Sequence, residues 1–238
     1  DDSTNEVAAR RLLGSGYSKE AAMASELIKE FCAENVERVP EAIAAGAGRI
    51  ELCDNLAVGG TTPSHGVIRA AVELARPAGI PVMCMIRPRG GSFEYSGAEA
   101  RIMVDDLRHA AELGVDGVVF GCLRGGEVDR ELTGRLAGLA KEAGLMVTFH
   151  MAFDEISADA QPAALNLLAG LGVDRVLTHG GAAGTPIAGN LERLRRLVDY
   201  AAGRLEILPG GGVTWENAEE VADAVGVREV HGTRIVKL

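Results

Sequence analysis

Several residues able to do acid–base or metal chemistry lie at the ends of short apolar segments. Residues 81–91 read PVMCMIRPRGG, in which an apolar, sulfur-rich run leads directly into Arg87 and Arg89. Such a run is typical of a strand buried on both faces of a parallel sheet. Because an unpaired buried charge is costly, we expect the two guanidiniums to meet an anion. That anion is either a ligand or carboxylates of this chain that form structural salt bridges.

Polar residues recur at alternate positions of other apolar segments. Side chains alternate between the two faces of a strand, so Glu51 and Cys53 share one face while Ile50 and Leu52 share the other. The same rule predicts an inward-facing set: Glu30, Cys32, Glu51, Cys53, Met85, Arg87, Thr148, His150, Thr178 and His231. This mixture of carboxylate, guanidinium, imidazole and thiol groups indicates a functional site. The alternative is a self-neutralising salt-bridge network that fixes strand register.

The segments that position these residues alternate between strands and helices. Strand-like runs lie near residues 27–32, 49–53, 81–86, 115–121, 145–150, 174–178, 204–208 and 227–231. Stretches with helical spacing lie between them, at 35–45, 64–76, 97–113, 129–143, 159–170, 188–202 and 215–225. Eight such units predict an α/β fold, a (β/α)8 TIM-type barrel in a single domain, although the seven residues after the last strand are few for a closing helix. An open doubly wound sheet is the alternative, but no GxGxxG motif follows the first strand.

Composition restricts the classes of function. The 238 residues carry a net charge of −10, which disfavours nonspecific nucleic-acid binding. No apolar run approaches the roughly 20 residues that span a bilayer, and no secretory leader is visible, so we expect no membrane partner. The four cysteines lack CxxC spacing and lie in apolar runs, which predicts reduced thiols and a cytoplasmic location. Residues 1–26 carry no core pattern and are interpreted as an N-terminal extension of a barrel domain at 27–238.

The strand ends also offer groups for catalysis on a small anionic compound. Barrel enzymes work at the carboxyl ends of their strands, where a carboxylate and an imidazole can serve as general base and acid. The candidate catalytic residues are Glu51, Arg87, Arg89, His150, Asp154 and His231. A Schiff-base aldolase is disfavoured because no lysine falls at an inward strand end. A plain interaction scaffold would leave the charged interior without a purpose.

Consecutive glycines follow the seventh predicted strand. Backbone N–H groups of Gly210, Gly211 and Gly212, completed by Thr233 after the eighth strand, can cradle a phosphate. Alternatively, the glycines permit a tight turn with positive φ.

Seven blocks of sequence, several of them long and unusual, occur in order between residues 27 and 233. They are RIELCDNLAVGGTTPSHG (49–66), PVMCMIRPRGGSFEYSGAE (81–99), DGVVFGCL (116–123), VTFHMAFD (147–154), RVLTHG (175–180), LPGGGVTWEN (208–217) and REVHGT (228–233). Together they resemble the copper-homeostasis CutC family. The resemblance implies a (β/α)8 barrel and a cytoplasmic protein, often a homo-oligomer (dimer or tetramer), proposed to bind Cu(I) through cysteines. Those cysteines correspond to Cys32 and Cys53.

The residues themselves also bear on a copper site. Thiolates and thioethers are soft ligands that select Cu(I). Cys32 and Cys53 are predicted to lie at the same level on adjacent strands, about 5 Å apart, with Met85 as a weak third ligand. Against a copper role, a lone cysteine is most often a small buried hydrophobe. Zinc is less expected than copper, because the sequence lacks the cysteine and histidine spacing of a structural zinc site. The family pattern has Arg where Met151 stands and Ser where His179 stands, so this pocket is softer and less cationic. The expected partner is therefore a copper ion or a small anionic molecule.

Overall fold

Eight parallel strands and seven α-helices alternate along the chain. The computed structural model describes residues 27–182 and 184–238, so the proposed extension at 1–26 lies outside the described residues. The strands are β1 (Ile28–Glu34), β2 (Arg49–Cys53), β3 (Val82–Met85), β4 (Gly117–Phe120), β5 (Met146–Phe149), β6 (Arg175–Thr178), β7 (Glu206–Pro209) and β8 (Glu229–Gly232). Each overlaps the segment that its sequence pattern predicts.

The helices occupy the intervening segments. They are α1 (Val39–Ala44), α2 (His65–Ala75), α3 (Gly97–Glu112), α4 (Arg130–Glu142), α5 (Gln161–Gly170), α6 (Leu191–Ala201) and α7 (Ala218–Val225). Local chemistry fixes several starts: the Ser64 hydroxyl caps α2, Ser96 and Glu99 form a capping box on α3, and the Asp129 carboxylate caps α4. A two-stranded hairpin at residues 123–128, which the sequence pattern did not predict, precedes α4.

The strands form one parallel sheet in the order β8-β1-β2-β3-β4-β5-β6-β7. This order confirms the (β/α)8 barrel over the doubly wound alternative. The barrel is nearly closed: within the described residues no ladder joins β7 to β8, although Trp215 N–H donates to the Arg234 carbonyl just beyond them. No helix in the described part of the chain is both long and apolar enough to cross a membrane.

Two different cores lie on the two faces of the strands. The larger one, between strands and helices, contains Ile50, Phe149 and Val230 and also the thiols of Cys84 and Cys122. The smaller one, inside the barrel, contains Cys32, Cys53, Met83, Met85 and Val119. Strand alternation therefore separates an aliphatic outer core from a sulfur-rich interior.

The interior is tightly packed at Gly117 on β4. A Cβ atom there would lie 2.5 Å from the Met83 Sδ atom and 2.7 Å from the Met146 carbonyl oxygen. Because the carbonyl belongs to the neighbouring strand, it cannot move aside without disturbing the ladder between β4 and β5. Only glycine fits this position.

We therefore expect Gly117→Ala to destabilise the protein by about 1–3 kcal/mol through overpacking. The matched control is Gly138→Ala in α4, where a Cβ would meet nothing within 4 Å. The control should be neutral or stabilising by about 0.5–1 kcal/mol, because alanine favours the helix. Urea unfolding of both variants gives the comparison. Equal stability of the two variants would contradict the packing of the interior described above.

Candidate metal and active site

Three strands bring a thiol, a carboxyl and an imidazole together inside the barrel. Cys32 on β1 lies opposite Glu51 on β2, and His231 on β8 lies opposite Glu30 on β1. One ligand atom from each of Cys32, Glu51 and His231 falls within 4.8 Å of the other two. Two ligands on opposite sides of a metal ion are separated by about 4.5 Å, twice a typical metal–sulfur bond. The spacing of this buried cluster therefore suits one small metal ion.

The two cysteines of the interior are not level. The register pairs Cys32 with Glu51 and Cys53 with Glu34, so the prediction that Cys32 and Cys53 lie at the same level is wrong by two residues. Strands of a closed barrel are staggered, and the sequence alone does not give that stagger. The side chains still converge, since the Cys53 thiol donates to the Glu51 Oε2 atom at 3.5 Å and Glu51 lies opposite Cys32 in the register.

The offset has a chemical consequence for the thiols. Two residues of rise and one interstrand spacing separate the Cα atoms of Cys32 and Cys53 by about 8 Å. A disulfide requires less than about 7 Å, so the backbone disfavours oxidation of this pair. Both thiols are free in the structure. They are close enough to share a ligand and too far apart to form a strain-free disulfide.

Donors converge on the sulfur of Cys32. The hydrogen bond from Cys53 is the largest cause that holds the pKa of Cys32 well below its ordinary value; burial opposes it, and His231 and Glu51 support it. The same bond, with burial, raises the pKa of Cys53. Burial and the Cys32 charge raise the pKa of Glu51. Burial lowers the pKa of His231, but the surrounding Glu51, Cys32 and Glu30 outweigh it and raise that pKa. The two shifts run in opposite directions: the lowered pKa of Cys32 favours an anionic sulfur, and the raised pKa of His231 favours a cationic ring.

A chain of ion pairs connects His231 to Glu30, Arg49, Glu229 and Arg175. His231 Nδ1 lies 2.8 Å from the Glu30 Oε1 atom, and the other oxygen of Glu30 accepts from Arg49. Arg49 also donates to Glu229 at 2.7 Å, and Glu229 accepts from Arg175 at 3.0 Å. Burial raises the pKa of Glu30, but Arg49 and His231 outweigh it and bring that pKa to about 2. Glu30 is therefore ionised at neutral pH and stays ionised well below the ordinary pKa of a glutamate.

Arg87 and Arg89 are held by groups of this chain. Arg87 donates to the carbonyls of Val58, Gly60 and Gly91 at 2.8–2.9 Å, and its guanidinium lies over the Phe93 ring. It thereby fixes the loop after β2 above the cysteines, where a Cβ on Gly60 would lie 3.2 Å from the Cys53 sulfur.

Arg89 pairs with the Glu99 carboxylate at 2.5 Å and donates to the carbonyls of Gly90, Ser92 and Glu94. The sequence left two partners open for these guanidiniums, a ligand or carboxylates of this chain. In the structure backbone carbonyls bind Arg87, and a carboxylate of this chain pairs with Arg89.

Several buried polar atoms of the interior and the mouth have no hydrogen-bond partner among the described residues. Among them are Glu51 Oε1, Thr148 Oγ1 and His150 Nε2. His150 Nδ1 accepts from the Ala152 N–H, which leaves the proton on Nε2. Burial and nearby Arg87 lower the pKa of His150 to about 3, so the ring is neutral. Arg87 Nε, close to His150 across Phe93, is also unpaired. Buried donors without partners are uncommon and indicate a place for a ligand.

A cavity of about 690 Å³ opens at the carboxyl ends of the strands. Its lining residues are Phe93, Met151, Asp154, Glu155, His179, Gly181, Gly184, Thr185, Gly211 and Gly212. Burial raises the pKa of Asp154, although the His179 N–H and the Thr178 hydroxyl oppose that rise by donating to its carboxylate.

The glycines proposed as a phosphate cradle occupy different positions around this cavity. Gly211 and Gly212 line it, the Gly210 N–H donates instead to the Thr178 carbonyl, and Thr233 is exposed and outside the lining. The carboxylates of Asp154 and Glu155 in the same wall repel a phosphate. The mouth of this barrel therefore carries more negative charge than a phosphate-binding role of its glycines would predict.

The structure corrects and extends the predicted inward set. Val176, which shares a strand face with Thr178, packs in the outer core, so the prediction that Thr178 faces inward is wrong. Arg175 takes the inward position on β6 and joins Arg49 and Glu229, which the predicted set omitted. The strand alternation indicated these positions, since Arg49 lies on the same strand face as Glu51, and Glu229 lies on the same face as His231.

Fold and site together define a (β/α)8 barrel protein with a buried cysteine–glutamate–histidine cluster under an acidic mouth. The CutC family profile matches residues 27–236, and the chain belongs to the CutC family. It is 54% identical over 211 residues to a CutC family protein of Enterococcus faecalis, covering 88% of this chain and 100% of that protein. It is 41% identical over 215 residues to a human copper homeostasis protein cutC homolog, covering 90% and 76%. The CutC resemblance seen in the sequence is thereby confirmed.

Solved structures agree with this assignment. A CutC crystal structure from Streptococcus agalactiae superimposes with a TM-score of 0.85 at 45% identity, covering 88% of this chain and 100% of that one. A deoxyribose phosphate aldolase from Aeropyrum pernix gives a TM-score of 0.66 at 16% identity, covering 90% and 87%. The second likeness shows the barrel fold alone.

The acid side of the stability curve should depend on Glu30. A carboxyl whose pKa falls from 4.5 unfolded to about 2 folded stabilises the protein above about pH 4.5, and that stability is lost as the pH falls towards 2. Glu30→Gln leaves Arg49 and His231 without their shared anion, so we expect a loss of about 3–5 kcal/mol at pH 7 and a flatter acid limb. Denaturant unfolding between pH 7 and pH 2 measures both effects.

The control for this variant is Glu219→Gln, which removes the exposed partner of Lys29. An exposed pair contributes little, so its curve should follow that of the wild type. A Glu30→Gln protein as stable as this control would show that Glu30 does not organise the interior.

Proposed function

We propose that this protein binds Cu(I) between the sulfurs of Cys32 and Cys53 as part of a role in copper homeostasis. The observation that carries the proposal is the sulfur-rich interior, in which Cys32, Cys53, Met83 and Met85 pack together away from solvent. Soft sulfur ligands select Cu(I) over harder cations. Because the proposal requires reduced thiols, it includes a cytoplasmic location. Homo-oligomeric assembly, as a dimer or tetramer, is carried over from the family resemblance.

The charges around Cys32 support binding of a monovalent cation. The neighbours of Cys32 lower the pKa of its thiol, which favours the thiolate, and the register keeps Cys53 from closing a disulfide with it. A thiolate, not a thiol, is the metal ligand. His231 and Glu51 complete the group whose ligand atoms lie within 4.8 Å, so both stand close to a bound ion. The Arg87-held loop above Gly60 would shield the ion from water.

An anaerobic Cu(I) titration against a competing chelator tests this site. We expect tight one-to-one binding by the wild type and a loss of at least 100-fold in affinity for Cys32→Ser and for Cys53→Ser. The matched controls are Cys84→Ser and Cys122→Ser, whose thiols are equally buried but lie in the outer core. Affinity that survives both interior substitutions, or that falls equally in the controls, would sink the proposed site.

A second candidate is an isomerase, lyase or hydrolase that acts on a small anionic or phosphorylated metabolite. It is favoured by the unpaired Nε2 donor of His150 and Nε donor of Arg87, because both side chains contact Phe93, a residue of the cavity lining. Glu51, His231 and Asp154 would supply general acid–base groups, because their surroundings shift their pKa values away from the ordinary range. The catalytic candidates from the sequence thus remain proposals in this second role.

A thermal-shift and turnover screen of small organic acids and phosphorylated metabolites tests the second candidate. A true ligand should raise the melting temperature of the wild type and of Cys53→Ser. It should lose at least tenfold in affinity in His150→Phe, which removes the unpaired donor but keeps an aromatic ring. Binding that His150→Phe leaves unchanged, or the absence of any hit, would contradict this candidate.

A further inference from the structure

Two histidines from different helices meet on the outside of the barrel. His65 is the first residue of α2 and His109 lies in the last turn of α3. Their Nδ1 and Nε2 atoms are 2.7 Å apart, and the ring centroids are separated by 4.8 Å. Two neutral imidazoles can share one proton across this distance. When the donor ring instead carries its proton on its other nitrogen, each ring directs one lone-pair nitrogen at the space between them.

A carboxylate stands in the same surface groove. Asp106 precedes His109 by three residues on α3, so both side chains lie on one face of the helix. Asp106 and both histidines line a cavity of about 300 Å³ between α2 and α3, with Thr62 beside them. Asp106 is half-buried, and burial raises the pKa of its carboxyl. Among the described residues the only group of three histidine, cysteine or carboxylate ligand atoms within 4.8 Å of one another lies inside the barrel. This groove therefore offers two imidazole nitrogens as ligands for a divalent transition metal and a nearby carboxylate that adds negative charge.

The charges of the groove suit a cation. The carbonyl end of α3 next to His109 and the carboxylate of Asp106 attract positive charge, and they oppose the positive start of α2 at His65. Arg87 also lines the groove, and its positive charge opposes a cation there, although its Nη1 and Nη2 groups are turned to the carbonyls of Val58, Gly60 and Gly91.

Only a small movement separates this pair from metal-binding geometry. In a tetrahedral zinc site two nitrogen ligands at about 2.0–2.1 Å from the ion lie roughly 3.3 Å apart. The histidines are exposed or half-buried, so their rings can open by the required fraction of an ångström without disturbing the core. Water can complete the coordination from the open side of the groove.

We propose that His65 and His109, assisted by Asp106, form a surface site for a divalent transition metal such as Zn²⁺. The site joins α2 to α3 and lies on the helical layer, apart from the cysteines inside the barrel. It uses imidazole ligands beside a carboxylate, whereas the interior offers sulfur. The two sites therefore differ in metal preference, and the proposal does not depend on Cu(I) binding by Cys32 and Cys53.

Isothermal titration with Zn²⁺ tests the surface site in the full-length Cys32→Ser/Cys53→Ser protein, with the unmodified chain titrated alongside. We expect one saturable site, with at least a tenfold loss of affinity in His65→Ala and again in His109→Ala. Asp106→Asn should weaken binding by a smaller factor. Its control, Asp105→Asn, changes the neighbouring carboxylate, which is exposed and lies next to Arg108, and should bind as before.

Thermal unfolding gives an independent readout. Zn²⁺ that bridges two helices binds only the folded protein, so it should raise the melting temperature of the parent and not that of either histidine variant. Circular dichroism establishes that the variants are folded before titration. The proposal is overturned if no saturable Zn²⁺ binding occurs, or if either His65→Ala or His109→Ala binds as tightly as the parent.

Discussion

The buried carboxylate of Glu30 is the constraint around which the barrel interior is arranged. It lies between Arg49 and His231, neither of which could be buried alone without a large desolvation cost. Arg49 bridges Glu30 and Glu229, and Arg175 also pairs with Glu229, so two guanidiniums and two carboxylates balance inside the barrel. His231 rests on this network through Glu30, and the pKa of Cys32 is lowered in part by His231.

Because side chains alternate along each strand, the polar groups lie inside the barrel and the apolar groups that stabilise the fold lie outside it. On β2, Ile50 and Leu52 pack against the helices, while Arg49, Glu51 and Cys53 face inward. The apolar outer core provides most of the burial. Polar and sulfur groups can then occupy positions that branched apolar residues fill in most such barrels. The two cysteines in the outer core show that the residue type alone does not make a ligand; its place on the strand does.

The sequence predicted what depends on local pattern. The eight strands, the seven helices and the inward position of Glu30, Cys32, Glu51 and His231 follow from hydrophobic periodicity and from a side-chain period of two. It did not predict the two-residue offset between Cys32 and Cys53, because stagger is a property of the closed barrel and of no single strand. The carbonyl partners of Arg87 could not be predicted either, because the residue types of a loop do not indicate where its backbone oxygens point. His65 and His109 are 44 positions apart, and only the packing of α2 on α3 brings them together.

The charges inside the barrel are compatible both with Cu(I) binding and with catalysis. The two roles are related through Cys32, because its charge acts on His231. A Cu(I) ion bound by Cys32 and Cys53 would neutralise part of the negative charge that raises the pKa of His231. That pKa would then depend more heavily on Glu30, whose own low pKa keeps it available as an anionic partner. An enzyme that used His231 as a proton donor would therefore change its acidity whenever copper occupied the thiols. The shared histidine links the two proposed roles physically, so that copper and a metabolite at the mouth would act on one set of charges.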